Sequence, residues 1–344
     1  MKKTLAVAAV LAAFAGSAMA DVTVYGKVDM GMSYVAEGDT HSFKMGTGQS
    51  SGNRFGLKGA EKISDNVTVG FQLEAGFNAD DGRNAGAADD ADLELGDTTF
   101  HREARLYVAT PYGTLHFGRM GTLDSGAGSV NLGGNMSAYG TGWSQIGDAR
   151  HVITLDTRRD NVVTYQSPAM AGFTAYAQVA SGSLEDADEN VHEYSEDAVR
   201  YYAVGAKYKA GAFDAMFTAS QLVPAGEAAE RDNYNAYVGY DFGVAKAMLQ
   251  VGYMEQGIAE KKGVVLSATA PVAGGKLLAE AGYGKETTAT GVERDNMNFG
   301  LGYQYTLSKQ TYLYAGVGYE ENKVDGTGAK TDLTEVIFGI CHSF

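Results

Sequence analysis

Apolar and polar residues alternate one by one along most of this chain, from Val22 to its last residue. Val22, Val24, Val28, Met30, Met32 and Tyr34 fall on one side of the alternation, and Thr23, Lys27, Asp29 and Ser33 on the other. The pattern returns over 67–77, with Thr68, Gln72 and Glu74 on the polar side, and over 297–307, with Asn298, Gln304 and Thr306. A period of two belongs to extended strands, whose successive side chains point to opposite faces. Weaker copies fill the rest, and with 52–63, 99–109, 113–120 and 158–167 added the pattern predicts about sixteen strands. Past residue 20 no apolar run approaches the roughly 18 residues of a membrane-spanning helix, which excludes a helical membrane bundle.

Short turns and long polar loops alternate between these strands. Ser64-Asp65-Asn66, Pro111-Tyr112-Gly113, Ala210-Gly211, Phe242-Gly243 and Ser308-Lys309-Gln310 carry turn chemistry. Residues 79–98 and 183–197 are instead rich in Asp and Glu, opposed by Arg83 alone. Such an alternation describes an up-and-down antiparallel sheet in a single domain. A formal charge of −15 argues against nucleic acid as a partner, because phosphate backbones are held by Lys and Arg clusters. One Cys excludes a disulfide framework and a zinc site built from several thiolates. The six His stand singly, without H-E-x-x-H spacing, and no enzyme chemistry is expected.

Met1-Lys2-Lys3, the apolar stretch 5–15 and Ala18-Met19-Ala20 read as a cleaved signal peptide over 1–20, leaving a mature chain of 21–344. An exported sheet of this size turns its apolar side either to a second sheet, as in a sandwich, or to lipid, as in a barrel. Tyr34, Phe77, Tyr240, Tyr253, Tyr305 and Phe344 sit near strand ends, where a membrane barrel carries its aromatic girdles. Lys27, Arg54, Glu74, Arg105 and Glu280 sit inside strands, as a wet lumen permits. Closure leaves no unpaired strand edge, which hydrocarbon requires. The expectation is an all-β fold: a 16-stranded antiparallel transmembrane β-barrel.

Residues 21–28, 53–61 followed by 70–74, 105–119, and 158–161 leading to 165–168, together with the terminal Phe344, resemble in order the strands and loop flanks of the Gram-negative general diffusion porins. The resemblance spans nearly the whole mature chain. It implies a homotrimer in the bacterial outer membrane, in contact with lipid and lipopolysaccharide. Each barrel would hold a water-filled channel for passive diffusion of ions and small hydrophilic solutes, weakly charge-selective. It also implies that a long stretch, about 120–157, folds inward as a constriction loop facing a basic wall made of Lys27, Arg54, Arg105, Arg119 and Arg158.

Strand parity agrees for Lys27, Arg54 and Arg105, which alternate with Val28, Phe55 and Leu106. Arg119 shares parity with Leu115 and Phe117, so an inward aim requires a bulge or a strand end. Relatives carry an acid just before a Gly-Gly pair in the loop. This chain has Asn131-Leu132-Gly133-Gly134 there, which leaves Asp124 and Asp148 as the carboxylates expected to face the pore and leaves the sign of selectivity open. The alternative is a substrate-specific porin for a sugar or an anion on the same barrel, with Tyr139 and Trp143 as stacking residues. No cofactor is expected, although the carboxylate runs at 79–98 and 183–197 are candidates for structural Ca²⁺ or Mg²⁺ through oxygen ligands. Cys341 falls on the lumen parity as a free thiol.

Overall fold

The computed structural model describes residues 22–85, 99–133, 136–140, 142–182 and 199–344. The expected signal peptide and most of both acidic stretches lie outside the described residues. Among the described residues, seventeen strand segments follow one another: β1 (Thr23–Glu37), β2 (Thr40–Thr47), β3 (Arg54–Ser64), β4 (Val67–Gly76), β5 (Glu103–Thr110), β6 (Gly113–Gly121), β7 (Arg158–Gln166), β8 (Phe173–Gly182), β9 (Val199–Ala210), β10 (Phe213–Val223), β11 (Arg231–Asp241), β12 (Lys246–Gln256), β13 (Ala259–Val272), β14 (Gly275–Thr287), β15 (Glu293–Thr306), β16 (Thr311–Val324) and β17 (Lys330–Ser343). From β3 onward each strand pairs antiparallel with the next, and β17 returns to β1 from Lys27↔Ser343 to Glu37↔Leu333, which closes the sheet.

Two segments share one place in the wall. β2 pairs with the far half of β1, from Met30↔Thr47 to Glu37↔Thr40, and β3 with the near half, from Thr23↔Lys58 to Lys27↔Arg54. The barrel therefore has sixteen staves. β2 is absent from the strands read by alternation, because His41, Phe43 and Met45 make too short a run to stand out. Between its two segments this stave leaves the wall: residues 48–53 stand opposite only Val28 and Asp29. Asp29, fully buried, holds the excursion. Its carboxylate accepts from Ser50 N at 3.0 Å, Ser50 Oγ at 2.5 Å, Ser51 N at 2.8 Å and Tyr314 OH at 2.5 Å.

Alternation sorts the wall as expected. Val24, Phe55, Leu106, Phe217, Leu266 and Phe338 are exposed on the outer face. Each such side chain contributes about 1.5–3 kcal/mol when it leaves water for hydrocarbon. The tightly packed apolar core lies inside the barrel, between the wall and the long loop that follows β6. Leu123 and Val130 pack on Val162, Ala180 and Tyr201, and Met136 packs on Tyr237 and Met248. Tyr139, Trp143 and Ile146 pack on Leu278, Tyr314 and Ile337, while Val152 and Ile153 pack on Val265. The loop can lie so close because the wall is stripped of side chains beneath it. A Cβ at Gly263 of β13 would stand 2.2 Å from the Val152 carbonyl oxygen.

Candidate functional site

The inward-folded loop packs along the wall from β7 to β17, and only its arm at Ser129 reaches β5, which leaves the charged polar faces of β1 and β3–β5 as the side of the passage. Lys27 and Arg54 are direct cross-strand neighbours there. Lys27 Nζ and Arg54 both donate to Ser51 Oγ, at 3.1 and 3.2 Å, and Arg54 Nε donates to the Gly52 carbonyl at 2.9 Å. The excursion pinned by Asp29 thus fixes two of the expected wall cations.

Two carboxylates stand among the cations. Glu74 accepts from Arg102 Nε at 2.7 Å and from Tyr25 OH at 3.0 Å, with Arg54 at 4.0 Å. Glu103, directly across from it on β5, is gripped by the backbone N–H of Ser129 and by the Ser129 hydroxyl at 2.6 Å. Arg105 lies 3.5 Å from Glu103 and donates to Gln72 at 2.9 Å and to His116 Nδ1 at 2.8 Å. Arg158 joins the group, with Arg102, Glu74, Glu103 and Arg54 as the charges around it. Five cations (Lys27, Arg54, Arg102, Arg105 and Arg158) therefore surround Glu74 and Glu103, with Asp29 behind them.

Arg119 stands apart from this group. Its guanidinium donates to Asp160 at 2.7 Å and to the His101 carbonyl at 2.5 Å. A register shift does occur beside it, but the extra residue falls on β7, where Asn161 adopts a φ of 53°. Arg119 pairs with Ala104 of β5 as exposed Phe117 pairs with exposed Leu106, so it keeps the outward parity of Leu115 and Phe117. The expected inward aim is corrected accordingly.

Both loop acids are corrected as well. Asp124 is fully buried and accepts from Tyr201 OH at 2.9 Å, Ser220 Oγ at 3.0 Å and Asn233 Nδ2 at 2.7 Å, which ties the root of the loop to β9, β10 and β11. Asp148 caps the 3₁₀ turn Ala149–His151 and is clamped by Arg150, whose Nη2 lies 2.7 Å away. Those bonds hold the Arg150 guanidinium above its ordinary pKa. Neither carboxylate faces the passage as a free charge. Tyr139 and Trp143 are each 5 % exposed and pack edge-on, Trp143 also against Tyr314, so neither presents a ring face to a solute.

The far end of the loop is docked by His151. Nδ1 lies 3.3 Å from Glu320 and Nε2 lies 3.1 Å from the Glu321 carbonyl. Burial opposes the charged imidazole, but these two acceptors outweigh it and hold His151 above its ordinary value. An acceptor thus stands at each ring nitrogen, the arrangement that the imidazolium form satisfies in full.

Sequence reasoning missed Arg102, Glu103 and the Asp29 anchor. Glu103 shares parity with Arg105, and that signal was available; Arg102 precedes its strand and has none. The run Gly48-Gln49-Ser50-Ser51-Gly52 has the letters of a nucleophile elbow, yet the Ser50 hydroxyl is bonded to Asp29 and Tyr312, not to an imidazole. Among the described residues no group of three or more His, Cys, Asp or Glu is set to hold a metal. The expected cation-binding carboxylates fall largely on 86–98 and 183–198, outside the described residues. Cys341 is buried and free.

Known proteins with the same architecture share this sequence pattern. A sequence profile of Gram-negative porins matches residues 6–325. An outer membrane porin protein of Bordetella pertussis is 31% identical over 405 aligned residues, covering all of both chains, and the outer membrane porin protein 32 of Delftia acidovorans is 30% identical, again over all of both. Among solved structures, an anion-selective porin from Comamonas acidovorans superposes with a TM-score of 0.72 at 24% identity, over 95% of this chain and 100% of the other. The outer membrane channel DcaP of Acinetobacter baumannii does so with a TM-score of 0.68 at 16% identity, over 96% and 99%. With a closed sixteen-stave barrel, a charged inner face and a profile match over most of its length, the chain belongs to the Gram-negative porin family of outer-membrane channels.

Proposed function

We propose that this porin is a general diffusion channel for small hydrophilic solutes whose neck favours anions, and that it works as a homotrimer. One observation carries the reading. Five cations line the passage side of the neck, while the two loop carboxylates that would set up an opposing field are tied up, Asp124 in the wall and Asp148 by Arg150. The Comamonas protein of the same fold is named for anion selectivity, which agrees with it. A trimer form is known for OmpT of Vibrio cholerae, a barrel of the same fold.

Magnitudes limit the preference. A unit charge roughly 8 Å from the ion path acts with about 0.5 kcal/mol at a dielectric constant of about 80, and about 2 kcal/mol at about 20. Screening over about 8 Å in physiological salt reduces this further. The neck therefore biases flux several-fold and does not act as a filter. Reversal potentials across planar bilayers in a tenfold KCl gradient test the sign: chloride preference is expected, and a preference for potassium overturns the reading. Three equal closing steps per inserted unit are expected for the trimer. Conductance that saturates and is blocked by one solute would instead favour a substrate-specific channel.

A further inference from the structure

We propose that Glu103 is the positioning residue of the neck: one carboxylate latches the entering arm of the inward loop and at the same time sets the effective charge of Arg105. The second half rests on the anion-favouring reading above; the first half does not.

The geometry is a closed circuit of four side chains. Glu103, 1 % exposed at the start of β5, receives the Ser129 backbone N–H on one oxygen and the Ser129 hydroxyl on the other. That hydroxyl is also 2.9 Å from Gln72 Oε1, which accepts from Arg105 at 2.9 Å. Arg105 Nε completes the circuit 3.5 Å from Glu103. Approach of the arm this close requires Gly128 beside Ser129. Its φ is +92°, and a Cβ there would lie 2.8 Å from Glu103 Oε1.

The neighbouring carboxylate behaves differently. The hydrogen bonds of Glu74 come from Arg102 and Tyr25, both on or beside the wall, with Arg54 at 4.0 Å, whereas those of Glu103 come from the loop. The arm and the charge state of the neck are thus linked through one group. Motion of Ser129 away from Glu103 leaves a bare carboxylate beside Arg105 and frees the stretch of loop that leads into the passage.

Single-channel recording of the full-length refolded protein separates the two roles. In S129A the charge stays and the hydroxyl contact goes, so open-channel noise is expected to rise while the reversal potential stays at the wild-type value. In E103Q the shape stays and the charge goes, so the anion-to-cation permeability ratio is expected to rise roughly two-fold in dilute salt, with added noise. Traces of both variants as quiet as wild type overturn the latch. An unchanged permeability ratio in E103Q overturns the role in selectivity. S129A alters only a loop hydroxyl and tests the latch even if E103Q refolds poorly. A wild-type channel that preferred cations would defeat the anion reading while leaving the noise comparison intact.

Discussion

Glu74 and Glu103 stand directly opposite one another on β4 and β5, both turned into the lumen and both almost fully buried. Like charges at opposed positions of a sheet repel. They are tolerated here because each is bonded to a different partner set, Arg102 and Tyr25 on one side and Ser129 with Arg105 on the other. The cations of the neck are therefore held in place by the acids they outnumber.

Replacing Glu74 by Gln removes the partner of Arg102 and the nearest acid to Arg54. Breaking a buried ion pair from one side costs about 3–5 kcal/mol in a dry interior, and a wet lumen lowers that figure. The expected outcome is a lower unfolding temperature in detergent, read from the heat needed to lose the compact band on a gel. It is joined by a permeability ratio shifted toward anions by roughly two-fold in dilute salt. A variant with wild-type stability would show that Arg102 does not depend on Glu74.

Asp124→Ala should separate stability from selectivity. The substitution removes the acceptor of the Tyr201 and Ser220 hydroxyls and one of the two acceptors of Asn233 Nδ2, which keeps the Thr154 carbonyl at 3.2 Å, and each buried group left without a partner costs about 1–3 kcal/mol. A marked fall in unfolding temperature is expected, with a smaller shift of reversal potential than Glu74→Gln produces. If the reversal potential moved further than in Glu74→Gln, Asp124 would have to be returned to the pore field.

The barrel was legible because water on one side of the wall and hydrocarbon on the other impose a period of two on every long strand. Arg54 and Arg105 were legible for the same reason: parity alone turns them inward. Asp124 was not. Its partners Tyr201, Ser220 and Asn233 lie 77, 96 and 109 residues away, on three strands that local pattern cannot bring to one carboxylate. The excursion at 48–53 was hidden for a related reason, since a six-residue departure from a stave leaves the alternation on either side of it intact. Arg119 shows the limit from the other direction. Its neighbours resemble the family's motif, yet parity pointed outward, and the bulge that occurs nearby falls on the partner strand.

The loop docking should weaken at alkaline pH. His151 is held above its ordinary value of about 6.5 by Glu320 and the Glu321 carbonyl, against burial and the charge of Lys261. A raised folded value means that the contribution is fully present below the unfolded pKa and is lost as pH rises through the folded one. Thermal stability and open-channel noise, followed from pH 6 to 9, should therefore show a loss of stability and a rise in noise on the alkaline side. His151→Gln should flatten that dependence. A titration unchanged in this variant would place its origin elsewhere.

The seat of the loop offers the most direct control of pore size. Val152 rests against β13 because position 263 has no side chain, and even a methyl group there would meet the Val152 carbonyl oxygen at 2.2 Å. Backbone atoms cannot rotate out of the way as a flexible side chain would. The conflict must move either the loop or the stave, and the stave is hydrogen-bonded on both edges to β12 and β14. The loop is the softer of the two. Gly263→Ala should push the segment around Val152 away from the wall and into the passage, and Gly263→Val should push it further. Single-channel conductance is expected to fall stepwise from Gly to Ala to Val, with the ion preference kept because the charges on β1 and β3–β5 stay in place. Conductance that rose along the series would mean that the displaced segment leaves the lumen, and that packing on Val265, Tyr314 and Ile337 is not what holds the loop across the pore.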